Sequence, residues 1–251
     1  MENYARLAAE LPHAVARGEI VAYYQPQFDI VTNEIVAAEA LARWIHPQLG
    51  LIGPVDFIPL AEEFGVIDEL GDHMITLSCE AARDWQRQGH PLEVAVNVSA
   101  LQLGDPEFVT RVLTTVESYE LPPNRLTIEV TESTEIVDVS TVAERLDWLR
   151  SVGVTISVDD FGTGHSSVAQ VLDLRATELK IDQSLTQDDT AAARTLLAAV
   201  VGFANDKGLR VVAEGIETAP QLERVRQLRC DRAQGYLLGR PVAKTAFDLL
   251  L

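Results

Sequence analysis

Short apolar, β-branched runs alternate with helix-period stretches along the whole chain, and this alternation restricts the fold more than any other feature. The runs are Val21–Ile30, Val36–Trp44, Val94–Val98, Leu126–Val130, Val154–Val158, Glu178–Ile181, Arg210–Ala213 and Arg232–Tyr236. Eight strands at about 30 residues per unit is the period of a (β/α)8 barrel, for which 251 residues is an ordinary length. No Pro/Gly/Ser-rich linker or low-complexity tract interrupts the pattern, so residues 1–251 read as a single domain. The first two runs break the period, because only Val31-Thr32-Asn33-Glu34-Ile35 joins them. A link of hairpin length cannot hold a helical crossover, so one strand near the N-terminus should run antiparallel.

Helix signals fill the gaps. Asp105-Pro106-Glu107 reads as N-cap, first-turn proline and first-turn acid, with Phe108, Val109, Val112, Leu113 and Val116 on one face. Leu196, Leu197, Val200, Val201 and Ala204 form a second stripe, which Gly208 should end. Leu222, Val225 and Leu228 make a third, after Pro220. Trp44, Trp85 and Trp148 read as packing residues, with Trp148 on a helix away from the strand ends.

Apolar residues make up 47% of the chain, enough for a sizeable core. The net charge of −18 excludes a general binder of DNA or RNA polymers or of anionic membranes, which needs a basic face. Cys79 and Cys230 are far apart without metal-ligand spacing and read as buried thiols in a reducing compartment. The N-terminus lacks the basic and apolar regions of a signal peptide. The longest apolar stretch, Leu196 to Ala204, is far short of the roughly 20 residues of a spanning helix. A cytoplasmic domain without membrane insertion is expected, and a longer parent protein could still be membrane-anchored.

The ends of the β runs carry the chemistry. Val36-Ala37-Ala38 leads to Glu39, with Arg43 four residues later; Val94-Ala95-Val96 ends on Asn97; Leu126-Thr127-Ile128 ends on Glu129. Ile156-Ser157-Val158 ends on the adjacent Asp159 and Asp160, Glu178-Leu179 on Lys180 with Asp182 beyond, Val211-Val212-Ala213 on Glu214, and the last run on Gln234-Gly235-Tyr236. Any one of these, taken alone, is an ordinary solvated strand end. In a parallel barrel, however, all of them converge on one rim, where such enzymes place their chemistry. A crowd of carboxylates there is unstable unless cations neutralise it. Oxygen donors without Cys, and with only His165 of the five histidines nearby, select Mg2+ or Mn2+. Asp159 and Asp160 side by side suit two ions about 3.5–4 Å apart, as in two-metal phosphoryl-transfer sites. Arg43, on the face of Glu39, can either reach a phosphate or pair with Glu39.

The ordered set "EALARW" at Glu39–Trp44, Tyr24-Gln25-Pro26, "HPQLGLIGPVDFIPLAEEFG", Asn97-Val98-Ser99, "IEVTES", "DDFGTG", Lys180-Ile181-Asp182, "AEGIE" and "QGYLLGRP" covers essentially the whole chain. In these motifs the chain resembles the EAL family of cyclic di-GMP phosphodiesterases. The resemblance implies a TIM-like barrel with an antiparallel strand and hydrolysis of c-di-GMP to linear 5′-pGpG with two Mg2+ or Mn2+ ions, which Ca2+ would inhibit. It implies Glu39, Asn97, Glu129 and Asp159 as ligands of one ion, and Asp159, Asp160 and Glu214 as ligands of the other. Gln234 would touch metal, water or substrate, and Lys180 would position or activate the attacking water. Glu132 would steady the loop after Asp160, and Glu217 would support the site from outside the ligand set. Gln25, Leu41, Arg43, Asp182 and Pro241 would touch the dinucleotide. A homodimer is implied, with sensory or GGDEF domains N-terminal to the chain.

Two readings compete with this one. A catalytically inactive c-di-GMP receptor or protein scaffold would keep the fold, though degenerate members are expected to lose metal ligands and this chain keeps them. A sugar-cleaving barrel would need two isolated carboxylates across a cleft. Gly162-Thr163-Gly164 lacks Walker spacing and reads as a loop reporting metal or dimer state, not as a phosphate-binding loop. Asn97-Val98-Ser99 is formally a glycosylation sequon without a secretion signal. His165 stands where the family usually has Tyr or Phe, which bears on loop packing, not on the ligands.

Overall fold

The computed structural model describes residues 2–131, 139–163 and 168–251. Among these residues ten strands form one sheet: β1 (Ile20–Asp29), β2 (Ile35–His46), β3 (Gly50–Ile52), β4 (Glu93–Val98), β5 (Leu126–Thr131), β6 (Thr155–Phe161), β7 (Glu178–Ile181), β8 (Arg210–Ala213), β9 (Arg232–Ala233) and β10 (Val242–Ala243). Strands β2, β4, β5, β6, β7, β8 and β9 run parallel in that order, and β1 closes the barrel by pairing antiparallel with both β2 and β9. The expected antiparallel strand is therefore β1, tied to β2 by a tight turn in which Asp29 Oδ1 accepts from the backbone of Val31 and Thr32, and Asn33 adopts φ 58°.

Helices α1 (Glu2–Glu10), α2 (Pro54–Glu63), α3 (Ile67–Arg87), α4 (Ala100–Gly104), α5 (Phe108–Ser118), α6 (Val139–Ser151), α7 (Val168–Asp173), α8 (Gln183–Gln187), α9 (Ala191–Lys207), α10 (Ala219–Gln227) and α11 (Lys244–Phe247) fill the connections. None among the described residues is long and apolar enough to cross a membrane. Helix α9 ends as its sequence requires, with Gly208 in the left-handed region at φ 71°. The expected start of α5 shifts: the helix begins at Phe108, and no side chain caps it. The Asp105 carboxylate instead accepts from the Glu107 backbone and from Arg111, whose guanidinium also pairs with Asp72, so the predicted cap closes a separate turn. The last strand is also shorter than its apolar run, because the chain leaves the sheet at Gln234 and turns through Gly235.

Strand alternation divides the residues into two populations. Outward-facing Val94, Val96, Val98, Leu126, Ile128, Val130, Leu179 and Ile181 are buried in the main hydrophobic cluster beneath the helices. The inward row pairs Asn97 with Glu129, Glu129 with Ser157, Ser157 with Glu178 and Glu178 with Arg210, so the barrel interior is polar. At its N-terminal end, Glu93 accepts from Arg232 at 2.7 Å and pairs with Arg210 at 2.9 Å, while Arg210 also bonds Glu178. These pairs close the floor electrostatically and leave the opposite rim for the acid row.

Candidate active site

At the rim, β6 departs from regular geometry where the adjacent aspartates sit. Its register with β7 shifts between Val158 and Phe161, and Asp160 takes φ 58°. Asp is among the few side chains that enter this left-handed region readily. Successive residues of a regular strand face opposite sides, so the bulge is what lets neighbouring carboxylates share one site. The Asp160 amide donates to Asp159 Oδ1 at 2.9 Å and fixes the pair.

Two triads of carboxylate oxygens lie within 4.8 Å of one another: Glu39, Glu129 and Asp159, and Asp159, Asp160 and Glu214. Asp159 belongs to both. Lys180, buried on β7, sits among them, with Nζ 3.0 Å from Glu129, 3.1 Å from Asp159, 2.9 Å from Glu214 and 3.6 Å from Glu39. Four carboxylates surround one ammonium, with Asp160 beside them, and the pKa shifts of these groups follow from that imbalance and from burial. Burial lowers the affinity of Lys180 for its proton, but the surrounding carboxylates outweigh it, so its pKa stands well above that of a free lysine. In the metal-free cluster Lys180 is the cation around which the acids gather.

Burial, then the neighbouring carboxylates, hold Glu129 well above the usual range and Asp159 above it, and push Glu214 up to about 8. Asp160, half-buried beside Asp159 and Asp182, is pushed up to about 6. For Glu39 burial acts upward, but the Lys180 charge and hydrogen bonds from Gln234 and Asn97 prevail and hold it below the usual range. Carboxyls raised by burial and by one another mark a site short of positive charge, and its hard oxygen donors fit a divalent cation.

Amides orient Glu39 from both sides. Asn97 Nδ2 donates to Oε1 at 2.9 Å, and Gln234 Nε2 to Oε2 at 2.5 Å. Gln234 Nε2 also reaches Gln25 Oε1 at 3.0 Å, and Gln25 in turn donates to Gly239 O at 3.0 Å. Gln25, expected at the substrate, therefore also aligns Gln234. Asp182 caps α8, accepting from Ser184 N at 2.8 Å, and lines the cavity above the acids together with Leu41, Gln183, Glu217 and Tyr236. That cavity measures about 270 Å³, and an apolar one of about 500 Å³ opens beside it between β2, β4, α2 and α3.

Arg43 stands apart from Glu39. It donates to Ala42 O at 2.8 Å and lies 5.7 Å from the Tyr23 ring centroid, so the alternative ion pair with Glu39 does not form. Pro241 is half-buried just before β10 and does not line either rim cavity. Glu132, Gly164 and His165 lie outside the described residues. Two supporting contacts escaped the sequence reading. Thr186 Oγ1 donates to Glu214 O at 2.5 Å, and Ser99 Oγ donates to Glu62 Oε1 at 2.5 Å beside Asn97. The Ser99-x-x-Gln102 capping box, present in the structure, was the readable sign of the second.

The EAL domain family model matches residues 8–241. The chain is 40% identical over 246 residues to the bifunctional diguanylate cyclase/cyclic di-GMP phosphodiesterase MucR of Pseudomonas aeruginosa, covering 96% of this chain and 36% of the relative. It is 38% identical over 249 residues to the cyclic di-GMP phosphodiesterase NbdA of the same organism, covering 98% of this chain and 32% of the relative. The chain thus spans about a third of the length of these relatives. Among solved structures, a PaMucR phosphodiesterase in complex with c-di-GMP matches with a TM-score of 0.90 at 38% identity, over 96% of this chain and 99% of that one.

Proposed function

The chain belongs to the EAL domain family, and from that premise we propose that it is a metal-dependent phosphodiesterase that hydrolyses c-di-GMP to linear 5′-pGpG. The observation that carries the reading is the pair of carboxylate triads sharing Asp159 around a buried Lys180. Glu39, Asn97, Glu129 and Asp159 would hold one Mg2+ or Mn2+ ion, and Asp159, Asp160 and Glu214 the other. Bound ions supply Lewis acidity toward the phosphate and bring the pKa of an attacking water toward neutrality. Lys180 holds the acids together and would position or activate the attacking water by charge and hydrogen bonding. Gln234 and Asn97 orient Glu39. Leu41, Asp182 and Gln25, which line the cavity, would contact the dinucleotide, and Glu217 would support the rim; Arg43 and Pro241, which line neither cavity, would reach the ligand only from its margin.

Incubation with c-di-GMP and Mg2+ or Mn2+, followed by chromatography, tests the reading. Appearance of 5′-pGpG, lost with Ca2+ or in Glu39→Ala, supports it. Absence of product at every metal concentration would leave a receptor. Calcium prefers more ligands at longer distances than this compact set offers, which is why it should inhibit.

We further infer that residues 1–251 form one domain of a longer signalling protein, since the curated relatives extend far beyond the matched region. Sensory or GGDEF partners would lie outside the chain. A homodimer through α6 and α7 is supported by exposed Trp148 and Val152 one helical turn apart, and by exposed Val168 and Leu172 on the next helix. Sedimentation that finds only monomer at high concentration would count against it.

A further inference from the structure

A cavity of about 780 Å³ opens on the floor of the barrel, larger than both rim cavities and sharing no lining residue with either. Its walls come from the turn between β1 and β2, the chain entering β4, the turn before β5 and the start of β9. Three basic side chains line it: His90, Arg125 and Arg232. Arg232 is buried, and its Nη2 donates to Glu93 at 2.7 Å. Arg125 and the His90 ring make no hydrogen bond or ion pair with any described residue. The chain carries 38 acidic side chains against 20 lysines and arginines, so a half-buried arginine that no acid reaches stands out. Glu34 also lines the cavity, but it is exposed at the lip and pairs with neither arginine.

Both segments that carry the unpaired cations are held in place. Arg125 closes a tight turn after Pro122 and Pro123, two residues of fixed φ, and its amide donates to Pro122 O at 2.8 Å. His90 N donates to Trp85 O at 2.9 Å and Leu92 N to His90 O at 2.8 Å, with Pro91 between them. The remaining wall is mostly aliphatic, from Ile35, Val36, Leu92 and Leu238, with the Phe28 ring beside them. A cavity of this volume, with an apolar wall and a few convergent polar groups, has the make-up of a small-molecule site. The guanidinium fork matches a carboxylate with two parallel N–H donors. Glu93 and Glu34 temper the positive potential, which favours a singly charged head over a phosphate dianion.

We propose that the floor cavity binds a small aliphatic carboxylate. Arg125, beside His90 and Arg232, holds the anionic head, and the chain lies along Val36, Leu92 and Leu238. The site needs neither metal nor c-di-GMP, so it stands or falls separately from the phosphodiesterase reading.

Calorimetry and heteronuclear NMR on residues 1–251 test it with octanoate, 1-octanol, acetate and inorganic phosphate, which separate the charged head from the apolar tail. Octanoate should bind about tenfold or more tightly than each of the others, and should shift the methyl signals of Leu92 and Leu238 but not those of Leu41. Arg125→Ala should weaken octanoate about tenfold or more and leave 1-octanol within about twofold, because only charge-assisted hydrogen bonds are lost. Val36→Trp, which fills the cavity from one wall, should weaken octanoate and 1-octanol alike. Equal affinity for octanoate and 1-octanol, octanoate binding that survives both substitutions, or shifts confined to the rim would overturn the site. Phosphate binding as tightly as octanoate would overturn the choice of a carboxylate.

Discussion

Removing divalent ions should make this protein's stability fall as the pH rises, and restoring them should cancel the fall. Glu214 moves from 4.5 to about 8 in the folded chain, and Glu129, Asp159 and Asp160 move in the same direction. A carboxyl whose folded pKa exceeds its unfolded value favours folding while it holds its proton. That contribution is complete below about pH 4.5 and is lost as the pH climbs through the folded value. For Glu214 the difference is worth about 5 kcal/mol, at about 1.4 kcal/mol per pKa unit. A chain of this length shifts in Tm by roughly 2–4 °C per kcal/mol. The metal-free protein should therefore melt about 10 °C or more lower at pH 8.5 than at pH 5. Millimolar Mg2+ should recover most of the loss at pH 8.5 and add only about 2 °C at pH 5, where protons already occupy the site. Calorimetric melts in EDTA and in Mg2+ across this range provide the assay. A magnesium effect that is equal at both ends, or larger at pH 5, would refute the account of the cluster as a site short of positive charge.

Three further outcomes follow from particular contacts. Gly235→Ala should lose about 3 kcal/mol or more in denaturant unfolding and most activity, because its Cβ meets the Ile216 backbone and overpacking adds to two broken hydrogen bonds; unchanged unfolding would contradict the close approach. Glu93→Ala should lose about 3 kcal/mol at neutral pH by leaving Arg232 and Arg210 without their shared carboxylate. Burial acts upward on Glu93, but the two arginines prevail and lower its pKa, so its contribution is present above pH 4.5 and vanishes as the pH falls below the folded value, where urea titrations of variant and parent should converge. Cys79 and Cys230, buried with thiol pKa values pushed up to about 12 by desolvation, should resist thiol reagents in the native state and react only on unfolding.

The barrel and its acid rim could be read from the chain because both depend on local periodicity. Alternation within the runs placed Asn97, Glu129, Lys180 and Glu214 near strand ends, and parallel closure brings such ends together whatever the helices do; Glu39 instead lies inside the long β2, which continues to His46. The short link between the first two runs likewise required an antiparallel strand, which is β1. Those features belong to sequence alone. Other features were set by which of several partners each side chain met, nearby or across the fold. Asp105 looked like a helix cap, yet Arg111 and the intervening turn claimed its carboxylate. Arg43 could reach Glu39 by strand parity, but amides from Asn97 and Gln234 took the oxygens of Glu39 instead. The bulge that lets Asp159 and Asp160 face one site, the four contacts that keep Lys180 charged, and the turn that holds Tyr236 under Arg240 exist only once the ring of strands has closed. Periodicity states which way a side chain points. It is silent on which of several available partners the side chain will take, because that choice is settled by distances between separate strands, in an interior where an unpaired charge is too costly to leave alone.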